Sequence, residues 1–90
     1  MKVAAPTVSV VEVPGEGLLA FLNKPILIFA SNYIYTGILV GVNDTCVKLQ
    51  HAKIVYETGD FNNPKYKDAQ TVGDFWYVNT NSIESFGAGK

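Results

Sequence analysis

From residue 25 onward, alternating apolar and polar positions predict a chain built mainly from short β-strands. The clearest segments, 26–29 and 33–40, are rich in the β-branched and aromatic residues that favour a pleated surface. Residues 46–49 and 53–56 follow as parts of a third strand, which can run continuously through His51. Two further strands are predicted at 75–78 and 82–86, separated by a tight polar turn at 79–81.

Ahead of these strands the pattern is helical. Leu18, Phe21 and Leu22 recur at positions i, i+3 and i+4, which places them on one helical face. A residue before proline is steered away from helical backbone, so Lys24 and Pro25 end this short helix near Asn23. The first 13 residues are small and β-branched, and they form either an N-terminal arm or an extra strand.

The strands predict a bent sheet that is covered on both faces. Gly37 interrupts an otherwise bulky strand, where glycine marks a bend or a close approach of two backbones. The first strand has Ile26 and Ile28 on one face and Leu27 and Phe29 on the other, so both faces need cover. A short helix followed by five bent strands fits a small barrel of the SH3 or OB type.

A polar segment at 57–74 separates the third and fourth strands. It is predicted to be a long loop or an extended hairpin. Its two lysines, Lys65 and Lys67, are outnumbered by four acidic residues, which disfavours phosphate binding by the segment as a whole. With this insertion the chain forms a single domain over residues 14–86, followed by a tail at 87–90.

The composition of the chain excludes several classes of protein and kinds of site. Ninety residues leave room for one core, and 48% apolar against 17% charged residues excludes an intrinsically disordered chain. One cysteine, Cys46, and one histidine, His51, exclude a disulfide framework within the chain and a zinc site made of several Cys and His ligands. No pair of residues has catalytic spacing, so we expect neither an enzyme nor a bound cofactor or metal.

Charge and hydropathy bear on location and partners. Eight acidic residues against seven lysines give a net charge of -1, and there is no arginine, the residue best suited to bidentate phosphate contacts. No apolar run reaches the length of a membrane span and the N-terminus lacks a signal-peptide pattern, so we expect a soluble cytoplasmic protein without a membrane partner. Five Phe, five Tyr and one Trp are difficult to bury in so small a domain, which predicts a homo-oligomer.

The order of these features resembles the Sm and Sm-like (Lsm) family, which includes the bacterial RNA chaperone Hfq. The resemblance covers roughly residues 14–56 and 75–86. Its first motif runs through Lys24-Pro25-Ile26-Leu27-Ile28, then from Tyr35 through Gly37 to Asn43-Asp44, then Val47 to Ala52; the second is Tyr77-Val78-Asn79-Thr80-Asn81-Ser82-Ile83. The resemblance implies a short helix across one end of a five-stranded, strongly bent open barrel, with copies joined into a ring through strands four and five.

The resemblance also implies single-stranded RNA binding at the pore of that ring, by the turn after strand two and the turn between strands four and five. The residues at those turns are Asn43, Asp44, Thr45, Asn79, Thr80 and Asn81. The sequence departs from the family pattern twice: Asn79 replaces the basic residue of the second turn, and Cys46 or Val47 stands where the family has an asparagine.

Each candidate also has a simpler interpretation. Asn-Asp and Asn-Thr-Asn are ordinary turn sequences. Tyr33, Tyr35 and the aromatic run 75–77 can stack on RNA bases, or they can pack in the core and between subunits. Lys48 and Lys53 are the candidate cations near the pore. The alternative function is therefore a structural or protein-interaction ring that does not bind RNA.

Overall fold

The computed structural model describes residues 16–90, and the predicted N-terminal arm or strand at 1–13 lies outside this range. Five antiparallel strands form one sheet. They are β1 (Pro25–Ala30), β2 (Ile34–Val42), β3 (Cys46–Glu57), β4 (Asp68–Asn79) and β5 (Ile83–Ala88). Two short 3₁₀ helices, Gly17–Phe21 and Thr80–Ser82, complete the described elements. The prediction of a mainly β chain with five strands is confirmed.

The strands lie in the order β4-β3-β2-β1-β5, and the sheet is not closed. Strands β4 and β5 are therefore its two edges. The pairs β1–β2, β2–β3 and β3–β4 each join strands that follow one another in sequence, whereas β5 pairs with β1. The two edge strands, β4 and β5, are therefore consecutive in the sequence and are joined by the turn at Thr80–Ser82.

The N-terminal helix is shorter and tighter than the sequence predicts. It is a 3₁₀ helix of five residues, and Leu22 N–H donates to the Leu19 carbonyl at 3.3 Å. In a helix with three residues per turn, positions i and i+3 share a face. Leu18 and Phe21 accordingly pack against the core. Leu22 is exposed, so its predicted place on the same face is wrong.

The main core lies on one face of the sheet. Its buried members are Ile26, Ile28, Leu39, Val47, Leu49, Ala52 and Val78. Strand alternation turns Leu27 and Val55 toward the opposite face, and both are also buried, at 4% and 3% exposure. The expectation that β1 needs cover on both faces is confirmed for Leu27. On this second face, Tyr66 of the segment 58–67 contacts Thr36 through its hydroxyl and also accepts from the Lys90 N–H of the C-terminal tail.

Gly37 lies at a close approach of β2 to β3. A Cβ atom at this position would be 2.9 Å from the Gln50 carbonyl oxygen and 3.2 Å from the Leu49 Cβ. The pairing of β2 with β3 shifts register between Thr36 and Ile38, next to this contact. On β3, His51 has a positive φ of 55° at the same level. The predicted close approach of two backbones at Gly37 is confirmed.

Strands β3 and β4 form one long hairpin. β3 is continuous from Cys46 to Glu57, and β4 begins at Asp68 instead of Phe75, because residues 68–73 pair with the second half of β3. Only residues 58–67 remain as the connection. An exposed ion pair between the Lys67 ammonium and the Glu57 carboxylate, 3.4 Å apart, lies at its base.

Candidate functional site

The two turns predicted to bind RNA lie side by side at one end of the sheet. In an antiparallel pair the start of one strand is opposite the end of its partner, and Cys46 at the start of β3 pairs with Asn79 at the end of β4. Thr80 links the turns: its N–H donates to the Thr45 carbonyl and its hydroxyl to the Asp44 carbonyl, each at 2.9 Å. All six predicted residues therefore belong to one surface, which we call the two-turn surface (43–45 and 79–81).

Asn43 organises the first of these turns. Its Oδ1 accepts hydrogen bonds from the Thr45 N–H (2.8 Å), the Thr45 hydroxyl (2.9 Å) and the Cys46 N–H (2.9 Å). The Asn43 N–H donates to the Cys46 carbonyl at 2.9 Å. This is the arrangement of a capping asparagine in a tight turn. The Asn43 side-chain oxygen is fully engaged, and its amino group is what remains to meet a ligand.

The other side chains of the two-turn surface are more accessible. Asp44, Asn79 and Asn81 are exposed, and their side chains form no hydrogen bond with residues 16–90. Asparagine amides offer both donors and acceptors, as the edges of nucleobases do. Asp44 brings a negative charge, and the surface has no cation of its own. Its chemistry therefore suits the edges of bases better than phosphates.

Lys48, which follows the first turn on β3, lies over aromatic rings. Lys48 lies two residues into β3, opposite Tyr77 on β4. Its ammonium is 4.4 Å from the ring centroid of Phe75 and 5.7 Å from that of Tyr77, within the range of cation–π attraction. The two rings remain 50% and 60% exposed on the edge strand. In the single chain these two rings are surface groups, available for base stacking or for packing between subunits.

Lys53 does not join Lys48. It pairs with Thr71, while Lys48 pairs with Tyr77 near the other end of the hairpin. Lys53 instead lines a cavity of about 600 Å³ on the second face of the sheet, where the segment 58–67 and the tail meet β2 and β3. Lys48 and Lys53, the candidate cations near the pore, therefore lie at different places along the β3–β4 hairpin.

Sequence reasoning missed this cavity. Its walls include Thr36, Ile38, His51, Lys53, Pro64, Lys65, Tyr66, Lys67, Asp68 and Lys90. The Tyr66 hydroxyl lies 3.2 Å from the Thr36 hydroxyl and accepts from the Lys90 N–H at 3.0 Å, which holds the loop and tail on the sheet. The pair Lys65 and Lys67 could have indicated a positively charged site, but the acidic residues near them in the sequence make the segment 57–74 negative as a whole.

Burial raises the pKa of the Tyr35 phenol, and the neighbouring Tyr33 adds to the shift. Cys46 is a half-buried free thiol beside the first turn. Among residues 16–90, no three His, Cys, Asp or Glu side chains lie close enough to hold a metal ion. None of the helices in this part of the chain is long and apolar enough to cross a membrane.

Neither the comparison with protein-family models nor that with curated proteins finds a match for this chain.

Proposed function

We propose that the protein is an Sm-like, homo-oligomeric ring protein that binds single-stranded RNA through the two-turn surface. The observation that carries this proposal is the contact between the turns, made by the hydrogen bonds of Thr80 to Asp44 and Thr45. It brings together residues 36 positions apart in the sequence, as a shared binding surface requires. The proposal includes a binding function without catalysis and a cytoplasmic location.

The two sheet edges support the ring. β4 and β5 each have one side without a partner strand among residues 16–90, and such edges pair readily with another chain. β4 also exposes Phe75, Trp76 and Tyr77, and β5 exposes Phe86. If β4 of one copy pairs with β5 of the next, each interface is head-to-tail, and repetition closes into a ring when the rotation permits. The pairing buries aromatic surface that a single copy leaves in water.

A ring also compensates for the weak electrostatics of one two-turn surface. Because Asp44 is negative and the Lys48 ammonium is already over two rings, one copy attracts a phosphate backbone poorly. Several identical surfaces at one end of a ring would bind successive nucleotides of one strand, and the effective concentration of each further contact is high. We expect weak binding per site, a shallow dependence on salt and contacts mainly to bases.

RNA binding is tested by fluorescence anisotropy with short U-rich and A-rich RNAs at low salt. The double variant N79A/N81A removes two exposed amides and should weaken binding roughly fivefold or more. The matched control is Asn62→Ala, which removes an exposed amide from the 58–67 connection, away from the turns. Equal affinities for the double variant and the control would rule out the two-turn surface.

Assembly is tested separately by native mass spectrometry. Phe75→Glu places a charge on the edge strand β4 and should lower the fraction of the protein that is oligomeric. Tyr56→Glu is the control, since Tyr56 is as exposed (54% against 50%) but lies on the inner strand β3. A monomeric wild-type chain at micromolar concentration would contradict the ring.

The second candidate function is a structural or protein-interaction ring that does not bind RNA. The full engagement of the Asn43 Oδ1 by the turn itself favours it, because a buried or committed acceptor is not available to a base. An intact oligomer combined with no RNA affinity in the anisotropy experiment would support this candidate over the first.

A further inference from the structure

We propose that the cavity between the 58–67 connection, the C-terminal tail and strands β2 and β3 binds a small phosphate-bearing anion. The cavity lies on the second face of the sheet and shares no residue with the two-turn surface. Its volume of about 600 Å³ falls within the range of small-molecule sites. This inference is independent of RNA binding and of the ring.

The charge of the lining carries the proposal. Four of the seven lysines of the chain line this one cavity, against a single acidic residue, Asp68. They are Lys53, Lys65, Lys67 and Lys90. They come from three separate parts of the chain, and their convergence produces a positive cavity in a protein whose net charge is -1. A concave site lined by one sign of charge concentrates ligands of the opposite sign.

The ammonium groups of the four lysines differ in their contacts. The Lys67 ammonium is paired with Glu57, which offsets part of its charge. The Lys90 ammonium donates to the carbonyls of Thr58 (2.7 Å), Asp60 (2.8 Å) and Lys65 (3.1 Å), so it is fixed at the cavity wall without being neutralised. Lys53 and Lys65 form no ion pair with residues 16–90. Their ammonium groups are the ones that can turn toward a bound anion.

The walls are held before a ligand arrives. The Tyr66 hydroxyl contacts both the Thr36 hydroxyl and the Lys90 N–H, and Thr36 donates in turn to the Ile26 carbonyl at 2.8 Å. The Lys90 ammonium also lies 5.0 Å from the Tyr66 ring centroid. This network joins the loop, the tail and the sheet, so binding does not have to order the loop first.

Phosphate chemistry fits this lining better than other anions do. Lysine ammonium groups act as compact point charges for phosphate, and two of them without an ion pair among residues 16–90 suit a ligand with more than one charged group. Ile38, Pro25 and Pro64 add apolar wall that an organic part of a ligand can contact. Since the cavity is larger than a phosphate group, a diphosphate attached to a small organic body fits its size.

Isothermal titration calorimetry at low salt with three probes tests the proposal. Pyrophosphate carries the charge alone, adenosine carries an organic body alone, and ADP carries both. We expect pyrophosphate and ADP to bind and adenosine not to bind. Tighter binding of ADP than of pyrophosphate would show that the apolar wall contributes, whereas binding of adenosine alone, or no binding of any probe at millimolar concentration, would overturn the proposal.

Variants locate the binding. Lys53→Gln and Lys65→Gln should each weaken pyrophosphate binding roughly tenfold, while their thermal unfolding stays near that of the wild type because both side chains are exposed. Lys24→Gln removes the same charge outside the cavity and should leave the affinity unchanged. An equal loss in all three would indicate attraction to net charge alone and refute the site. N79A/N81A should bind pyrophosphate normally, which separates this result from the outcome for RNA.

Discussion

Gly37 gives the sharpest stability prediction. In Gly37→Ala the new methyl group would lie 2.9 Å from the Gln50 carbonyl oxygen and 3.2 Å from the Leu49 Cβ. Both neighbours belong to β3, and Leu49 is fully buried, so neither can rotate away as a surface side chain would. The strands must separate locally. Overpacking of this kind costs about 1–3 kcal/mol, and distortion of the β2–β3 hydrogen bonds adds to it, so we expect about 2–4 kcal/mol of destabilisation.

The assay is urea denaturation followed by the fluorescence of Trp76. Gly41→Ala is the matched control, because Gly41 lies on the same strand but its added Cβ would be 3.6 Å from the Lys48 Cβ, an ordinary contact. We expect its stability to stay within about 0.5 kcal/mol of the wild type. If Gly37→Ala were no less stable than Gly41→Ala, the close approach at Gly37 would not govern the fold, and the reasoning would be refuted.

Three further predictions each concern one residue. Lys90→Met keeps the length of the side chain but removes three hydrogen bonds to loop carbonyls. Urea denaturation should show that the free energy of unfolding falls by about 1–2 kcal/mol. Hydrogen exchange in 58–67 should become faster, and unchanged exchange would contradict the prediction. Asn43→Ala removes the acceptor of three turn hydrogen bonds and should cost about 1–2 kcal/mol in the same assay, whereas Asn43→Asp, which keeps an oxygen there, should cost less. The raised pKa of the Tyr35 phenol means that the folded state holds this proton more tightly than the unfolded state does, so stability should decrease as pH rises above about 10. Thermal unfolding at pH 8 and pH 11 should find a smaller decrease in Tyr35→Phe than in the control Tyr56→Phe, and equal decreases would contradict the assignment.

The strands were predictable because their signal is local. Alternating apolar residues and β-branched side chains define β1, β2 and most of β3 within a few residues. The start of β4 was not predictable in this way. Residues 68–74 are mostly polar, and they become a strand because the second half of β3 supplies partners for their backbone hydrogen bonds.

The two candidate sites differ in the same respect. Each turn of the two-turn surface could be located from its own asparagines. The resemblance to the Sm-like family, not the turn residues themselves, implied that the two turns act as one site. The cavity could not be located from the sequence, because Lys53, Lys65 and Lys90 come together only through the hairpin and the tail. Summed along the sequence, the segment 57–74 is acidic. In space, its lysines line the cavity, while one of its acids, Glu57, is paired outside the lining.

The sequence by itself determined a small, mainly β domain with both faces of β1 covered and a glycine where two strands meet, because periodicity and side-chain volume act over a few neighbouring residues. The tertiary structure alone decided the strand order, which strands have an edge without a partner among residues 16–90, and the grouping of positive charge. These depend on contacts between residues far apart in sequence, such as Ile26 with Ala88 and Lys90 with Thr58. Local sequence patterns do not specify which distant segments of the chain will contact one another.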